Sequence, residues 1–318
     1  MLRSKNVDVV IPAFRCQKQI ERVLKTLPSF IDMVWVVDDA CPDNTGAFVE
    51  SLQMPKVQVL YNEKNLGVGG AVLAGYRAAI KNGTDVIVKI DGDGQMDPSF
   101  VEKLIEPILE NSGDYTKGNR FRDFSTLKKM PPLRLIGNSI LSFLIKFSTG
   151  YWSLMDPTNG FTAICRKAAV DLNFSKISTR YFFESDLLIF LNINRARVVD
   201  VSMPTIYGDE VSNLKIRKVI FQFPFHMAVG LLRRIYFSYF IYNFNMGSVY
   251  LLVGIPMVLW GLFFGLYHWL NNWAQDVTTP VGTVMFAVLP LILGTQFLLQ
   301  AINIDIQSEP HLNRGNGN

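Results

Sequence analysis

The sequence predicts an α/β fold: a mainly parallel sheet with helices on both faces, extended at its C-terminal end by membrane-associated helices. Three observations carry this. Residues 7–120 alternate short apolar runs with amphipathic helical stretches. One of those runs, Val86-Ile87-Val88-Lys89-Ile90, ends at once in Asp91-Gly92-Asp93-Gly94-Gln95. Two long stretches near the C-terminus contain no Asp, Glu, Lys or Arg.

The elements follow in order. Val7 to Ile11 predicts a strand. Gln17 to Leu27 predicts a helix with Ile20, Val23, Leu24 and Leu27 on one face. Met33 to Val37 is a strand that ends at Asp38-Asp39, Thr45 to Leu52 a helix, and Val57 to Tyr61 a strand. Gly70 to Lys81 is alanine-rich and helical, Asp85 to Ile90 is extended, and Val101 to Leu109 is helical again. Residues 121–135 break the rhythm. Arg122, Lys128, Lys129 and Arg134 gather around Pro131-Pro132, as a mobile basic loop or as a plain solvated connection. Leu135 to Phe147 is an apolar helix, and Asp156 to Ala163 a loop with a short strand. Ala168 to Leu172 and Phe183 to Ile193 are helical, and Arg197 to Val201 is extended.

From Lys215 the character changes. Lys215, Arg217 and Lys218 lead into Val219-Ile220-Phe221-Gln222-Phe223, then Pro224, then further apolar residues up to Arg233-Arg234. A cationic, aromatic stretch with a central proline predicts two short helices in the membrane interface, with a surface helix packed on the catalytic domain as the alternative. Gly247 to Leu270 spans roughly 36 Å as a helix, enough to cross a bilayer with some tilt. Val281 to Ile304 is a second such run. The domain plan is therefore 1–212 catalytic, 213–240 interfacial, 241–306 two spans, and 307–318 a disordered tail. Cations crowd Arg233 and Arg234, whereas the connection at 271–280 carries only Asp276, so the catalytic domain is expected in the cytoplasm.

Composition narrows the function. A net charge of +4 is too small for a broad nucleic-acid surface. The three cysteines, Cys16, Cys41 and Cys165, have no CxxC spacing, which argues for a reducing compartment and against structural zinc. No secretory signal is expected at the start, where the first apolar run, Val9 to Ile11, is too brief. The first strand exits through Pro12-Ala13-Phe14, without the glycines of a dinucleotide-binding turn. Gly67-Val68-Gly69-Gly70 follows the third strand instead, and there is no GxxxxGK[ST] phosphate loop. Nicotinamide chemistry is disfavoured.

Asp91 and Asp93 stand one residue apart at a strand end, where alternate side chains point the same way. Two hard oxygen ligands suit Mg2+ or Mn2+ that also holds substrate phosphates; an ordinary Asp/Gly turn is the alternative.

Taken in order, Val10-Ile11-Pro12-Ala13-Phe14, Val37-Asp38-Asp39 with Asp43-Asn44-Thr45, Asn65-Leu66-Gly67, and Asp91-Gly92-Asp93-Gly94-Gln95 resemble the motifs of family 2 glycosyltransferases. The nearest resemblance is to the polyprenyl-phosphate group, which includes dolichyl-phosphate mannose synthases and bactoprenol glucosyltransferases. That resemblance implies a GT-A type nucleotide-diphospho-sugar transferase fold over residues 7–210. It implies that Asp39, with Pro12, Phe14, Asn65, Gly67, Asp91, Gln95 and Lys215, binds the donor nucleotide. Asp91, Asp93 and Gln95 would hold the metal. Arg120 and Arg134 would engage phosphate, Asp156 would lie beside the reacting sugar, and Glu184 with Asp186 would form an acidic pair near the acceptor. The family's Arg near Tyr207 is missing here, so Lys215 is expected to close over the diphosphate. The Gln-x-x-Arg-Trp motif of processive synthases is also absent, which implies one sugar per acceptor.

The resemblance thus implies an inverting transfer of one sugar to undecaprenyl or another polyprenyl phosphate in the bacterial plasma membrane. UDP-glucose is the expected donor, with GDP-mannose or a UDP-linked N-acetylated or amino sugar as alternatives. A homo-oligomer is expected, with Gly254, Gly261 and Gly265 as its contacts. The reading from another class is a membrane scaffold that keeps a dead transferase domain.

Overall fold

The computed structural model describes residues 4–120, 132–203 and 216–310, although not the side chains of 132–136, 138 and 216–222. They form two units, Met1–Arg234 with the C-terminal residues, and Ile235–Glu309.

The first unit is built on a seven-stranded sheet. Its strands are β1 (Val7–Ala13), β2 (Met33–Asp38), β3 (Val57–Tyr61), β4 (Val86–Lys89), β5 (Tyr115–Asn119), β6 (Thr162–Cys165) and β7 (Val198–Ser202). Their order is β3-β2-β1-β4-β6-β5-β7. β1, β2, β3 and β4 run parallel, as do β5 and β7. β6 alone is reversed, antiparallel to both β4 and β5. This confirms the mainly parallel sheet, with helices α1 (Gln17–Thr26), α2 (Thr45–Ser51), α3 (Val68–Asn82) and α4 (Val101–Leu109) around it.

Alternation along each strand divides the core. Val9, Ile11, Val34, Val36 and Val88 pack with Ile20, Val23 and Leu24 of α1 and with Val101, Leu104 and Ile105 of α4. Val10, Val37, Ile87, Tyr115 and Ile164 face the other way, against Leu73 and Tyr76 of α3 and Leu187, Leu188 and Leu191 of a later helix.

Two features of the topology place the site. Strand order reverses between β1 and β4, so their carboxyl ends flank a crevice. Because β6 is reversed, the loop that precedes it, 156–161, comes to the same edge as Asp91. Thr162 pairs in register with Lys89 on one side and Lys117 on the other, so all three share one face of the sheet.

After β5 the chain re-enters description as α5 (Pro132–Thr149), three residues earlier than the expected helix start; the basic loop over 121–131 lies outside the described residues. α6 (Arg166–Val170), α7 (Phe183–Ile193) and α8 (Ile216–Ile235) follow among the described residues. The expected break at Pro224 is not there: α8 runs through it. A proline costs a helix one hydrogen bond and a steric clash. Docking on α7 offsets that cost. The Phe182 ring meets Phe223 edge-on at 5.3 Å and stacks on His226 at 5.4 Å, Met227 is buried, and Arg233 sits 5.1 Å over the Phe190 ring.

The second unit holds a π-helical turn (Tyr236–Ile241) and two long helices, α9 (Met246–Ala274) and α10 (Val281–Gln307). α9 opens with a capping box: Asn245 accepts from the Gly247 amide at 2.8 Å, and the Ser248 hydroxyl accepts from the Asn245 amide at 3.0 Å. Both helices are long and apolar enough to cross a membrane. Gly254, Gly261 and Gly294 are buried where the two helices touch; a Cβ on Gly261 would lie 2.7 Å from the Ala287 carbonyl oxygen. Gly254 and Gly261, expected at contacts between copies, are used inside this hairpin instead. α10 continues to Gln307, into the stretch expected to be disordered; residues 311–318 lie outside the described residues.

One ion pair fastens the sheet edge. Asp114, just before β5, accepts from the Arg197 guanidinium at 2.8 and 2.9 Å and from its amide at 2.8 Å, just before β7. These bonds from Arg197 hold the Asp114 carboxyl below its ordinary range. A depressed folded-state value contributes stability above the unfolded carboxyl value of about 3.9 and loses it as pH falls through the folded value. Arg197→Met should therefore unfold at a lower temperature near pH 6, by about 2–4 °C. The gap to the parent should narrow towards pH 3; a constant gap in thermal melts would refute the assignment.

Candidate active site

Two cavities meet at the carboxyl edge of the sheet, and Asp91 lines both. The first, about 330 Å³, is lined by Pro12, Phe14, Cys16, Asp39, Asn65, Gly67, Asp91 and Asp93 among others. It brings together every residue expected at the donor nucleotide except Gln95 and Lys215. Lys215 lies outside the described residues. The second, about 180 Å³, is lined by Asp91, Gln95, Arg120, Thr158, Asn159, Gly160 and Glu184 among others.

The first cavity is held open by its aspartates. Asp38 accepts from the amides of Cys41 and Gly46, both at 2.7 Å, and so fixes the 38–46 loop. Asp39 fixes the next one: it accepts from Asn62 Nδ2 at 2.8 Å and from the amides of Leu66 at 2.9 Å and Gly67 at 2.7 Å. A carboxylate offers about four lone-pair positions, so Asp39 keeps an acceptor for a base N–H. Phe14 is 44% exposed on this wall, an apolar plate suited to stacking. Burial pushes the Cys16 thiol up to about 12, which leaves it neutral and apolar. Gly67 has φ +84, and a Cβ there would lie 2.9 Å from the Thr179 carbonyl oxygen. That close approach seats Arg180 and Tyr181 at the cavity, two residues the sequence did not single out.

The carboxylates at the end of β4 share the first cavity. Asp93 accepts from the Gln95 amide at 3.0 Å and faces the first cavity, whereas Gln95 lines the second. Asp91 Oδ1 lies 2.8 Å from Lys89 Nζ. Lys89 is 2% exposed, and its ammonium also donates to Glu184 Oε1 at 3.3 Å. Burial alone would pull this lysine down, but Asp91 and Glu184 outweigh it and hold it above the ordinary lysine range. Lys117, wholly buried, lies 3.9 Å from Glu184 Oε2 and donates to the Asn159 carbonyl oxygen. Burial lowers its value.

This chain of alternating charges, Asp91, Lys89, Glu184, Lys117, was not foreseen. The signal was a single lysine within an otherwise apolar strand. Gly160 is wedged against it: a Cβ there would lie 2.8 Å from Asp91 Oδ2 and 3.1 Å from Glu184 Oε1.

Among the described residues no three His, Cys, Asp or Glu side chains converge to hold a metal. Two carboxylates beside an open cavity still fit a hard divalent ion such as Mg2+, which takes one or two carboxylates plus substrate phosphates and water.

Asp156 is wholly buried and does not line either cavity. It accepts from Arg120 Nε at 2.8 Å, Arg120 Nη2 at 3.2 Å and the Thr158 hydroxyl at 3.2 Å. Its neighbour in space, Arg120, presents a partly exposed guanidinium at the second cavity. Arg134 stands on the first turn of α5, and its side chain lies outside the described residues. Glu184 and Asp186, expected as a pair, diverge. Two residues apart on a helix, they face different ways. Glu184 reaches the second cavity, whereas Asp186 accepts from the Ser178 amide at 2.8 Å, the Ser178 hydroxyl at 2.7 Å and Arg233 at 3.3 Å.

The sequence model of the family "Glycosyl transferase family 2" matches residues 8–172. A relative in Methanococcus voltae, a UDP-N-acetylglucosamine–dolichyl-phosphate N-acetylglucosaminyltransferase, is 31% identical over 223 residues, 65% of this chain and 88% of the relative. The polyprenol monophosphomannose synthase of Mycolicibacterium smegmatis is 27% identical over 199 residues, 61% of this chain and 74% of the relative. The crystal structure of glucosyl-3-phosphoglycerate synthase from Mycobacterium tuberculosis, in complex with Mn2+ and UDP-glucose, is similar in fold. The TM-score is 0.54 at 20% identity, covering 73% of this chain and 79% of that one.

The Arg120–Asp156 pair can be tested apart from any activity. Arg120→Ala leaves a buried carboxylate with only weak partners, a loss of about 1–3 kcal/mol once the exposure of the arginine is allowed for. Arg120→Ala with Asp156→Asn should recover much of it in thermal unfolding, because the uncompensated charge is gone. Additive losses would refute the pairing.

Proposed function

The chain belongs to glycosyl transferase family 2, and from that premise we propose that it transfers one sugar from a nucleoside diphosphate donor to a polyprenyl phosphate. The observation that carries the reading is the sharing of Asp91 by a nucleotide-sized cavity and a second cavity that Arg120 lines. Donor and acceptor would meet at that carboxylate. The names of the archaeal and mycobacterial relatives support the acceptor class.

The residues divide the work. Asp39, Phe14 and Asn65 receive the nucleotide, with the backbone of Pro12 and Gly67 shaping the floor. Asp91 and Asp93 would hold a divalent cation, as the Mn2+ of the structurally similar synthase supports. When bound, that ion supplies Lewis-acid stabilisation of the departing diphosphate. Arg120, aimed by Asp156, would hold the acceptor phosphate through its forked donors.

A phosphomonoester is largely dianionic at neutral pH, so it attacks without a strong general base. The occupied carboxylate of Asp156 agrees with a base-free transfer: it orients a cation and takes no proton. Attack opposite the leaving group inverts the anomeric carbon.

The acceptor's lipid tail explains the C-terminal third. Removing it from the bilayer costs roughly 0.8 kcal/mol per CH2. α9 and α10 would span the membrane with the catalytic unit on the cytoplasmic side. α8 would lie at the surface, where Phe225, Val229 and Leu232 expose a stripe at helical spacing.

The donor we propose is a UDP-sugar, on the resemblance to glucosyltransferases and on the UDP-N-acetylglucosamine of the Methanococcus relative. The detergent-solubilised protein, undecaprenyl phosphate and Mg2+ or Mn2+ should give labelled lipid from UDP-glucose or UDP-N-acetylglucosamine, and not from GDP-mannose. Asp91→Asn and Asp93→Asn should each slow it by about 10²-fold or more. No labelled lipid from any donor, with nucleotide still bound, would favour the scaffold reading instead.

A further inference from the structure

A lysine inside a metal-binding motif is unexpected, because a fixed cation repels a second one. Lys89 Nζ sits 2.8 Å from Asp91 Oδ1, with its side chain only 3% exposed. It cannot swing away into solvent. Its backbone is fixed in β4, in register with Val10 of β1 and Thr162 of β6. Glu184 holds the ammonium from the other side at 3.3 Å, and Lys117 holds Glu184 in turn at 3.9 Å. The remaining oxygen of Asp91, Oδ2, is the one that faces Gly160.

Two consequences follow from charge and geometry. One oxygen of Asp91 already accepts from the ammonium, so a cation meets a carboxylate whose donor capacity is partly spent. The two carboxylates also present a net charge of about −1 once the ammonium is counted, too little to hold a bare divalent ion firmly against its hydration. A nucleoside diphosphate brings the missing oxygens and negative charge with it.

We propose that Lys89 is a positioning residue that makes cation binding at Asp91 and Asp93 conditional on the donor's diphosphate. The inference rests on the reading of those two aspartates as cation ligands. It adds an order of events: the free enzyme holds the ion weakly, and ion and nucleotide enter together. The glutamate between the two lysines keeps the ammonium trained on Asp91, so Glu184 shares in the device from outside the ligand set.

The test is a Mn2+ titration of the full-length, detergent-solubilised protein, with free Mn2+ read by electron paramagnetic resonance, with and without UDP. The parent should bind Mn2+ weakly alone and firmly with UDP. Lys89→Met should bind Mn2+ alone about tenfold more tightly or better, and depend less on UDP. Lys89→Met leaves Glu184 short of a partner, so Lys89→Met with Glu184→Gln is measured beside it. That variant removes one charge of each sign, and it carries the test if the single variant fails to fold. Unchanged Mn2+ affinity without UDP in a folded variant overturns the role of Lys89. A parent that takes no Mn2+ even with UDP overturns the ligand assignment itself, and this inference with it.

Discussion

A buried ammonium between two carboxylates is the constraint on which the site depends. Lys89 can sit inside the sheet only because Asp91 and Glu184 meet it there. A charge so placed is costly unless paired and hydrogen-bonded, so the fold must deliver both partners. Asp91 is delivered by β4 itself, two residues on. Glu184 comes from α7, about 95 residues later, and reaches the strand only because α7 packs its apolar face on Ile87 and Tyr115. The reversal of β6 then brings Gly160 between them without a side chain to obstruct the contact. Sheet topology, helix packing and a single glycine thus converge on one nitrogen.

Much of the fold was legible because its periodicities are strong. β3, α4 and α7 stand where the pattern put them, and most other elements differ by a residue or two. β5 was missed, for a physical reason. Tyr115-Thr116-Lys117-Gly118-Asn119 shows no apolar alternation, yet all five residues are buried. Several of their polar groups find partners far along the chain, Asp200 for Asn119 and Asn159 for Lys117. Burial of that kind is set by tertiary pairing, which no local window displays. The reversal of β6 is equally invisible, since strand direction leaves no mark on four residues.

The site divides along the same line. The grouping of the proposed nucleotide side was legible because short motifs follow strand ends, where a parallel sheet gathers them. Pro12, Phe14, Asp39, Asn65, Gly67, Asp91 and Asp93 accordingly share one cavity. The grouping on the proposed acceptor side was legible only in part. Arg120 and Glu184 reach a common cavity, but Asp156 stands behind Arg120 and Asp186 turns away to α8. Sequence spacing names the charged residues; only the packing says which are spent on one another.

The basic end of α8 makes the same point for the proposed membrane face. Arg233 pairs with Asp186, and Arg234, 2% exposed, donates to the Phe147 and Ser148 carbonyl oxygens at the C-terminus of α5, both at 3.0 Å. A guanidinium there satisfies orphan carbonyls and complements the helix dipole. These two arginines therefore lock α8 to the catalytic unit, and neither is left to attract lipid headgroups. At this end of α8, attraction to a bilayer would rest on the exposed apolar stripe of Phe225, Val229 and Leu232. An apolar contact is little affected by salt, whereas a cationic one is screened within a Debye length of about 8 Å at physiological ionic strength. In the proposed membrane arrangement, the docking of α8 would set the distance between the second cavity and the lipid surface by packing.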